Sequence, residues 1–240
     1  MDERQATVYA SRMTRRETAA ALGWLPIHIF LLPIVLITVF PKASDAELNF
    51  WIYAVGAAAL MGFCLSFLRR DFDTLCDRMG LVFYQILFSY GLMLLSNLLV
   101  VQLLSLLLPP ENPNNQAVLD LALGGEGAPG GEGKIFASIM VLAPILEELM
   151  FRAGIFGSLR RKNRILAYAA AMLAFSVYHV WQFALVDPMN WLFLLEYVPI
   201  SFLLCRCYEK TECIWTSIFL HMLVNSVSLM ALLAARGLSL

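Results

Sequence analysis

Three charged side chains, Glu147, Glu148 and Arg152, lie within an otherwise apolar stretch of the chain. A charge near the centre of a bilayer costs at least about 2.5 kcal/mol on insertion scales, so it usually serves a function. On a helix, Glu148 and Arg152 share one face and can form an ion pair, whereas Glu147 points about 100° away. We predict that Arg152 holds Glu148 and leaves Glu147 free to transfer a proton. A structural ion pair and a buried acid on a transport path are the alternatives.

Two further apolar stretches carry a histidine with a partner four residues away in the sequence. Phe175 and His179 form one pair, and His221 and Asn225 form the other. On a helix, each pair shares one face. A lone histidine in a membrane helix is most often a hydrogen-bonding partner for another helix. Polar groups at membrane depth turn inward, however, so these pairs and Glu147 are expected to meet in one water-filled cavity.

The chemistry of these residue types is that of amide hydrolysis. A carboxylate and an imidazole on either side of a water molecule form a general-base pair. A second histidine and an asparagine amide supply donors for the oxyanion that forms when water attacks a carbonyl group. Glu147, His179 and His221 could instead provide three zinc ligands. The HExxH motif is absent, so nothing in the local sequence requires a metal, and no GxSxG motif indicates a serine nucleophile.

The elements that must position these groups are membrane spans. Apolar residues make up 60% of the 240 residues and only 15% are charged, which excludes an ordinary soluble domain. The net charge of −1 and the lack of a recognition motif argue against a nucleic-acid partner. The five cysteines show no paired spacing, so neither a disulfide framework nor a structural zinc site is indicated.

We predict an all-α fold, a polytopic transmembrane helical bundle of about seven spans, since each span needs about 20 apolar residues. The predicted spans are 24–40, 50–68, 81–108, 134–157, 165–186, 191–205 and 213–235. A cytoplasmic N-terminus places most of the 17 basic residues on the cytoplasmic side, as the positive-inside rule expects. The N-terminal group of these basic residues comprises Arg4, Arg12, Arg15 and Arg16.

The predicted spans divide the chain into three parts. Residues 1–108 form an N-terminal membrane segment with three spans, and residues 134–240 form a C-terminal four-helix catalytic core that holds every candidate site residue. Between them, Pro109, Pro110, Pro113 and the GGEGAPGGEG run at 124–133 predict a flexible outer loop over 109–133. No internal repeat is visible, which argues against a transporter fold.

Three motifs resemble those of a known family. EELMFR at 147–152, FSVYH at 175–179 and HMLVN at 221–225 look like the ordered motifs EExxxR, FxxxH and HxxxN of the CPBP intramembrane proteases. That family includes Rce1-type CAAX prenyl endopeptidases and bacterial Abi proteins. The resemblance covers about residues 134–236, and the first three predicted spans are similar only in being apolar.

The resemblance implies a role for each matching residue. Glu147 and His179 would activate water, and His221 and Asn225 would stabilise the oxyanion. The supporting residues would be Glu148, Arg152 and Phe175. The family pattern favours water activated by a glutamate, with no metal required, over the alternative in which zinc binds at Glu147, His179 and His221.

By the same resemblance, the function would be that of an intramembrane endopeptidase, and we expect it in a bacterial cell membrane. Its partners would be the lipid bilayer and a membrane-associated polypeptide, with the oligomeric state left open. Prenylated CAAX tails, a bacteriocin or peptide pheromone, and a C-terminal sorting anchor are all compatible substrates. One alternative is a non-proteolytic scaffold, immunity or regulatory protein of the same fold. Another is a transporter with a proton relay through Glu147, Glu148 and Glu196.

Some polar and aromatic residues lie outside the matching motif positions. His28 and Glu196 are predicted to have structural or lipid-interface roles. Tyr178 and Trp181 flank His179, so they either line a substrate entrance or anchor the end of a span at the membrane interface.

Overall fold

The structure, a computed structural model, describes residues 12–107, 112–124, 131–235 and 237. Every regular element in these ranges is helical, so the predicted all-α fold is confirmed. Arg4, in the predicted basic N-terminal segment, lies outside the described residues. The same holds for Pro109, Pro110 and residues 125–130 of the predicted outer loop.

Nine helical stretches occur in the described ranges, and we number them in chain order. They are α1 Arg15–Val39, α2 Asp45–Phe63, α3 Leu65–Asp77, α4 Met79–Leu104, α5 Pro113–Gly124, α6 over residues 131–159, α7 Arg164–Val186, α8 Pro188–Thr211 and α9 Ile214–Ala235. Six of them, α1, α2, α4, α7, α8 and α9, are long and apolar enough to cross a membrane. Together with α6, which carries the three internal charges, they agree with the prediction of about seven spans. The chain is an integral, multi-pass membrane protein.

Two helices differ from what the sequence predicted. The predicted span 50–68 ends early, because the backbone at Cys64 leaves the helical conformation and separates α2 from α3. In the predicted outer loop, Pro113–Gly124 forms α5. Proline suits a first helical turn because its missing N–H would be unpaired there. Leu119 and Ala122 of α5 are buried in one apolar cluster with residues of α9, which gives this segment a reason to fold. The boundaries of the three predicted parts stay a prediction.

The first helix contains a local change of helical pitch. Residues Ile27–Leu31 form a π-helical turn, with Pro26 before it and Pro33 after it. Prolines disturb the regular backbone ladder because they have no N–H to donate. His28 lies in this turn and is only 4% exposed, so its alternative role at the lipid interface is wrong.

Gly56 allows α2 to approach both α1 and α6 closely. A Cβ atom at this position would lie 3.1 Å from Leu146 Cδ2, 3.3 Å from Trp24 Nε1 and 3.4 Å from His28 Nδ1. We expect Gly56→Ala to lower the free energy of unfolding by about 1 kcal/mol or more, because overpacking forces neighbouring side chains to move. Thermal unfolding in detergent micelles measures this loss.

A matched control is available in α4. A Cβ atom at Gly91 would meet no atom within 4 Å, so Gly91→Ala should be neutral or stabilise the helix by up to about 1 kcal/mol. An equal loss of stability in the Gly56 and Gly91 variants would show that close helix packing is not the cause.

Candidate active site

The helix α6 alternates between α-helical and π-helical turns, and this alternation places its polar groups. Its first π-helical turn is Ser138–Leu142, in which the Ala143 N–H bonds to the Ser138 carbonyl. The Ile139 carbonyl therefore lacks the partner that it would have in a regular α-helix. The Asn225 side chain of α9 donates to this carbonyl through Nδ2 at 3.0 Å, which joins α9 to α6.

The second π-helical segment, Glu148–Phe156, holds a fully buried ion pair. Arg152 Nη1 lies 3.1 Å from Glu148 Oε1, in the pairing that the sequence spacing suggested. The Arg152 guanidinium also covers the Phe175 ring at 4.1 Å from its centroid and donates to Ser201 Oγ at 3.2 Å. The ion pair is thus packed against α7 and α8. Sequence analysis missed Ser201, since it belongs to no motif.

Glu147 faces both histidines. Its Oε2 atom lies 3.7 Å from His179 Nε2 and 3.8 Å from His221 Nε2. The side chain of Glu147 is buried, and Oε2 has no hydrogen-bond partner among the described residues. The structure therefore brings the polar groups of α6, α7 and α9 together around one carboxylate oxygen.

The hydrogen bonds of each imidazole determine which nitrogen faces Glu147 without a proton. His179 Nδ1 lies 2.8 Å from the Phe175 carbonyl oxygen, which can only accept, so Nδ1 donates. His221 Nδ1 lies 2.8 Å from Glu148 Oε1, and this carboxylate is already paired with Arg152, so Nδ1 donates here too. When a ring is neutral with its hydrogen on Nδ1, its Nε2 presents a lone pair towards Glu147. A hydrogen-bond donor between these atoms would find three acceptors.

These groups line a cavity of about 390 Å³. Helices outside the four-helix C-terminal region complete its wall, with His28 from α1, Asn49 and Tyr53 from α2, and Asn114 from α5. Sequence analysis missed these contributions to the site, because the first spans match the family only in apolar character. No local pattern in these spans could have indicated them.

Several aromatic and polar residues of α7 and α8 surround His179. Tyr178, Trp181 and Tyr197 all line the cavity, and the substrate-entrance role of Tyr178 and Trp181 stays a prediction. The Tyr197 ring stacks on the His179 ring at 4.6 Å between centroids, and sequence analysis missed it. Glu196 accepts a hydrogen bond from Asn112 Nδ2 at 2.6 Å, so it fixes the chain before α5.

The three residues of the zinc alternative meet, but their spacing is wide for zinc. Ligand atoms about 2.0–2.1 Å from a tetrahedral zinc ion lie about 3.3 Å from one another. The corresponding distances from Glu147 Oε2 are 3.7 Å to His179 and 3.8 Å to His221. In the parts of the chain that the structure describes, no group of three His, Cys, Asp or Glu side chains is arranged to hold a metal ion. These residues would have to move closer together to bind zinc.

Comparisons with known proteins agree with the motifs. Residues 132–227 match the family described as type II CAAX prenyl endopeptidase Rce1-like. The chain is also 31% identical over 117 residues to a Bacillus subtilis (strain 168) protein named "Putative membrane peptidase YdiL". That alignment covers 48% of this chain and 41% of the relative, so the chain spans less than half the length of the protein that it matches. No solved structure shows a significant match.

The family match and the geometry concern the same part of the molecule. The matched residues run from the first turn of α6 into α9, and they include Glu147, His179, His221 and Asn225. The resemblance read from the three motifs is thereby confirmed. Over residues 132–227, the chain is similar to the Rce1-like family of CPBP membrane proteins.

Proposed function

We propose that the chain is an intramembrane endopeptidase that cuts a membrane-associated polypeptide with a water molecule activated by Glu147. The observation that carries this proposal is the position of Glu147 Oε2, close to Nε2 of both His179 and His221 at the wall of one cavity. The family description and the name of the relative, a membrane peptidase, support hydrolysis of a peptide bond.

The proposed reaction starts with a water molecule between Glu147 and the two imidazoles. Glu147 Oε2 lies 3.7 and 3.8 Å from the two Nε2 atoms, beyond direct hydrogen-bond distance, and a water beside these atoms can reach both sides of each gap. The water donates one hydrogen to Glu147 Oε2 and the other to the Nε2 lone pair of His179. As the water oxygen attacks the peptide carbonyl carbon, Glu147 takes the first proton. Glu147 then returns this proton to the leaving nitrogen as the C–N bond breaks, as a general base and acid.

Asn225 and His221 differ as donors for the oxyanion. The Asn225 amide has two N–H groups. One donates to the Ile139 carbonyl oxygen, and the second is left for the cavity. A neutral His221 ring presents a lone pair from Nε2, so it donates to an oxyanion only when it is protonated. When His221 is neutral, Asn225 is therefore the stronger candidate of the two as a donor for the oxyanion.

Asn225→Ala should keep a small part of the wild-type cleavage activity. We expect the rate to fall by about 10²- to 10³-fold, as for the loss of one oxyanion donor, because Glu147 and His179 can still activate water. Initial rates on the purified protein measure the effect. Full activity in this variant would contradict the proposed role of Asn225.

The proposed substrate is a membrane-associated polypeptide that is locally extended at the cleaved bond. A helix engages its own amide groups, so an extended segment is needed to expose the carbonyl to attack. A lipidated CAAX-like tail, a bacteriocin precursor and a sorting signal all meet this requirement. The cavity contains both apolar side chains and carboxamides, which suits an extended backbone of this kind.

The substrate can be identified by comparing membrane fractions. Cells with the wild-type protein and cells with Glu147→Gln are compared by mass spectrometry of protein termini, and precursors that remain uncut only in the variant are the substrates. Glu209→Gln is the matched control, because Glu209 pairs with the exposed Arg164 at the end of α8, outside the cavity lining. Identical termini and an unchanged cellular phenotype in Glu147→Gln would support the scaffold alternative instead.

We also propose that the reaction needs no metal. Treatment of the purified protein with a chelator should leave its cleavage rate unchanged. A rate that falls with the chelator and returns when zinc is added would replace this proposal with the zinc alternative on Glu147, His179 and His221.

A further inference from the structure

A second polar cluster lines the same cavity, and two of its members come from the first two helices. His28 Nε2 lies 3.1 Å from the hydroxyl oxygen of Tyr178. The hydroxyl of Tyr53 lies 3.3 Å from the same oxygen. All three side chains line the cavity that contains Glu147. The Tyr178 oxygen is therefore held from two sides by residues outside the family match.

The hydrogen atoms of this cluster determine what it can donate. A neutral histidine carries one N–H, and each tyrosine carries one O–H. If the His28 ring hydrogen is on Nε2, the cluster has three hydrogens, one on His28 and one on each tyrosine. The two contacts use two of them, and one phenolic O–H is left over. If it is on Nδ1, the two hydroxyl hydrogens serve both contacts and none is left over.

The surroundings of His28 Nδ1 favour the first arrangement. This atom is buried and has no hydrogen-bond partner in the described parts of the chain. A buried N–H without a partner is rarer in proteins than an acceptor with an unused lone pair. The hydrogen is thus better placed on Nε2, where it is donated to Tyr178. The cluster then keeps one phenolic O–H for a group in the cavity.

Tyr178 is the better placed of the two tyrosines to use this hydrogen. It lies one helical turn from Phe175 on α7 and directly before His179, and its ring contacts the His179 ring at 5.1 Å between centroids. When its oxygen accepts hydrogen bonds from both His28 and Tyr53, its own O–H is polarised and becomes a stronger donor.

When both imidazoles are neutral, Glu147, His179 and His221 offer no hydrogen-bond donor to the cavity, and this cluster supplies one. Glu147, His179 and His221 present acceptors to the cavity in their neutral-ring arrangement, and Asn225 has one N–H to spare. An oxyanion is best stabilised by several preorganised donors. We infer that the Tyr178 hydroxyl donates to the carbonyl oxygen of the cleaved peptide bond, with His28 and Tyr53 as positioning residues. This inference rests on the proposed endopeptidase function.

The test uses the full-length protein in detergent micelles. Its substrate is a fluorogenic peptide that spans the cleavage site found by comparing wild-type and Glu147→Gln membrane fractions. Tyr178→Phe removes only the hydroxyl group and keeps the ring against Phe151 and His179. We expect kcat to fall by about 10²-fold, as for other single oxyanion donors, with KM changed by less than about threefold. Tyr84→Phe is the matched control, because Tyr84 is exposed on α4, and it should cleave like the wild type.

The role of His28 is tested by measuring whether its effect on kcat requires the Tyr178 hydroxyl. His28→Leu should lower kcat, and His28→Gln, which can still donate to the Tyr178 oxygen, should restore part of the loss. Since His28 acts through Tyr178, the double variant His28→Leu with Tyr178→Phe should be no slower than Tyr178→Phe alone. Losses that multiply in the double variant would overturn the positioning role, and thermal unfolding shows whether each variant is folded.

The outcomes separate this inference from the proposed function. If Glu147→Gln abolishes cleavage while folded Tyr178→Phe keeps the wild-type kcat, the inference is wrong and the endopeptidase function stands. If Glu147→Gln cleaves the peptide like the wild type, the endopeptidase proposal fails and the inference fails with it.

Discussion

Glu147→Gln is expected to reduce cleavage by about 10²- to 10⁴-fold, the range for loss of a general base, while the protein still folds. Glutamine has nearly the same size and shape as glutamate, but its amide cannot take a proton from water. Oε2 of Glu147 has no hydrogen-bond partner among the described side chains and backbone groups, so the substitution breaks no structural bond at this atom. Initial rates and thermal unfolding of the same preparation measure the two effects separately.

The neighbouring glutamate provides a contrast. Glu148→Gln changes the same residue type one position along the chain, but it removes the charge that pairs with Arg152 and receives the His221 hydrogen bond. We therefore expect it to lower stability, whereas Glu147→Gln should lower activity alone. Two results would contradict the role of Glu147 as the base. One is a large loss of stability in Glu147→Gln, and the other is a cleavage rate of half the wild-type value or more in that variant.

Arg152→Met is expected to lower the free energy of unfolding by about 3–5 kcal/mol, the usual cost of leaving a buried charge without its partner. The variant would leave the Glu148 carboxylate fully buried without its cation. It would also remove the guanidinium that covers the Phe175 ring. Chemical or thermal unfolding in detergent micelles measures the loss.

A double variant isolates the charge effect. Adding Glu148→Gln to Arg152→Met removes the unpaired carboxylate and keeps an oxygen that can accept from His221, so we expect much of the stability to return. Equal stability of the single and double variants would mean that the loss comes from packing against Phe175 and not from the isolated charge.

Residue spacing within single helices predicted the local part of the site. The four-residue separation of Glu148 and Arg152 led directly to their ion pair, and the paired positions of His179 and His221 led to their meeting with Glu147. These predictions succeed because each depends on helical periodicity and on the tendency of polar groups to turn inward in a membrane.

Contacts that depend on helix distortions or on distant chain segments could not be predicted in this way. The hydrogen bond from Asn225 to the Ile139 carbonyl requires the π-helical turn Ser138–Leu142, which no sequence motif indicates. His28 and Tyr178 are 150 positions apart in the chain. The helix α5 was missed because prolines and glycines dominate the region around it, although its leucines pack against α9.

The shared wall of the cavity limits how far the protein can be treated as modular. Residues 134–240 contain all the side chains with assigned chemistry, but α1, α2 and α5 contribute His28, Tyr53 and Asn114 to the surface around them. A graft of the four C-terminal helices into an unrelated membrane protein would transfer the reacting groups without this surface. Divergence in the first two helices would then be a route by which relatives acquire different substrate preferences while the reacting groups stay the same.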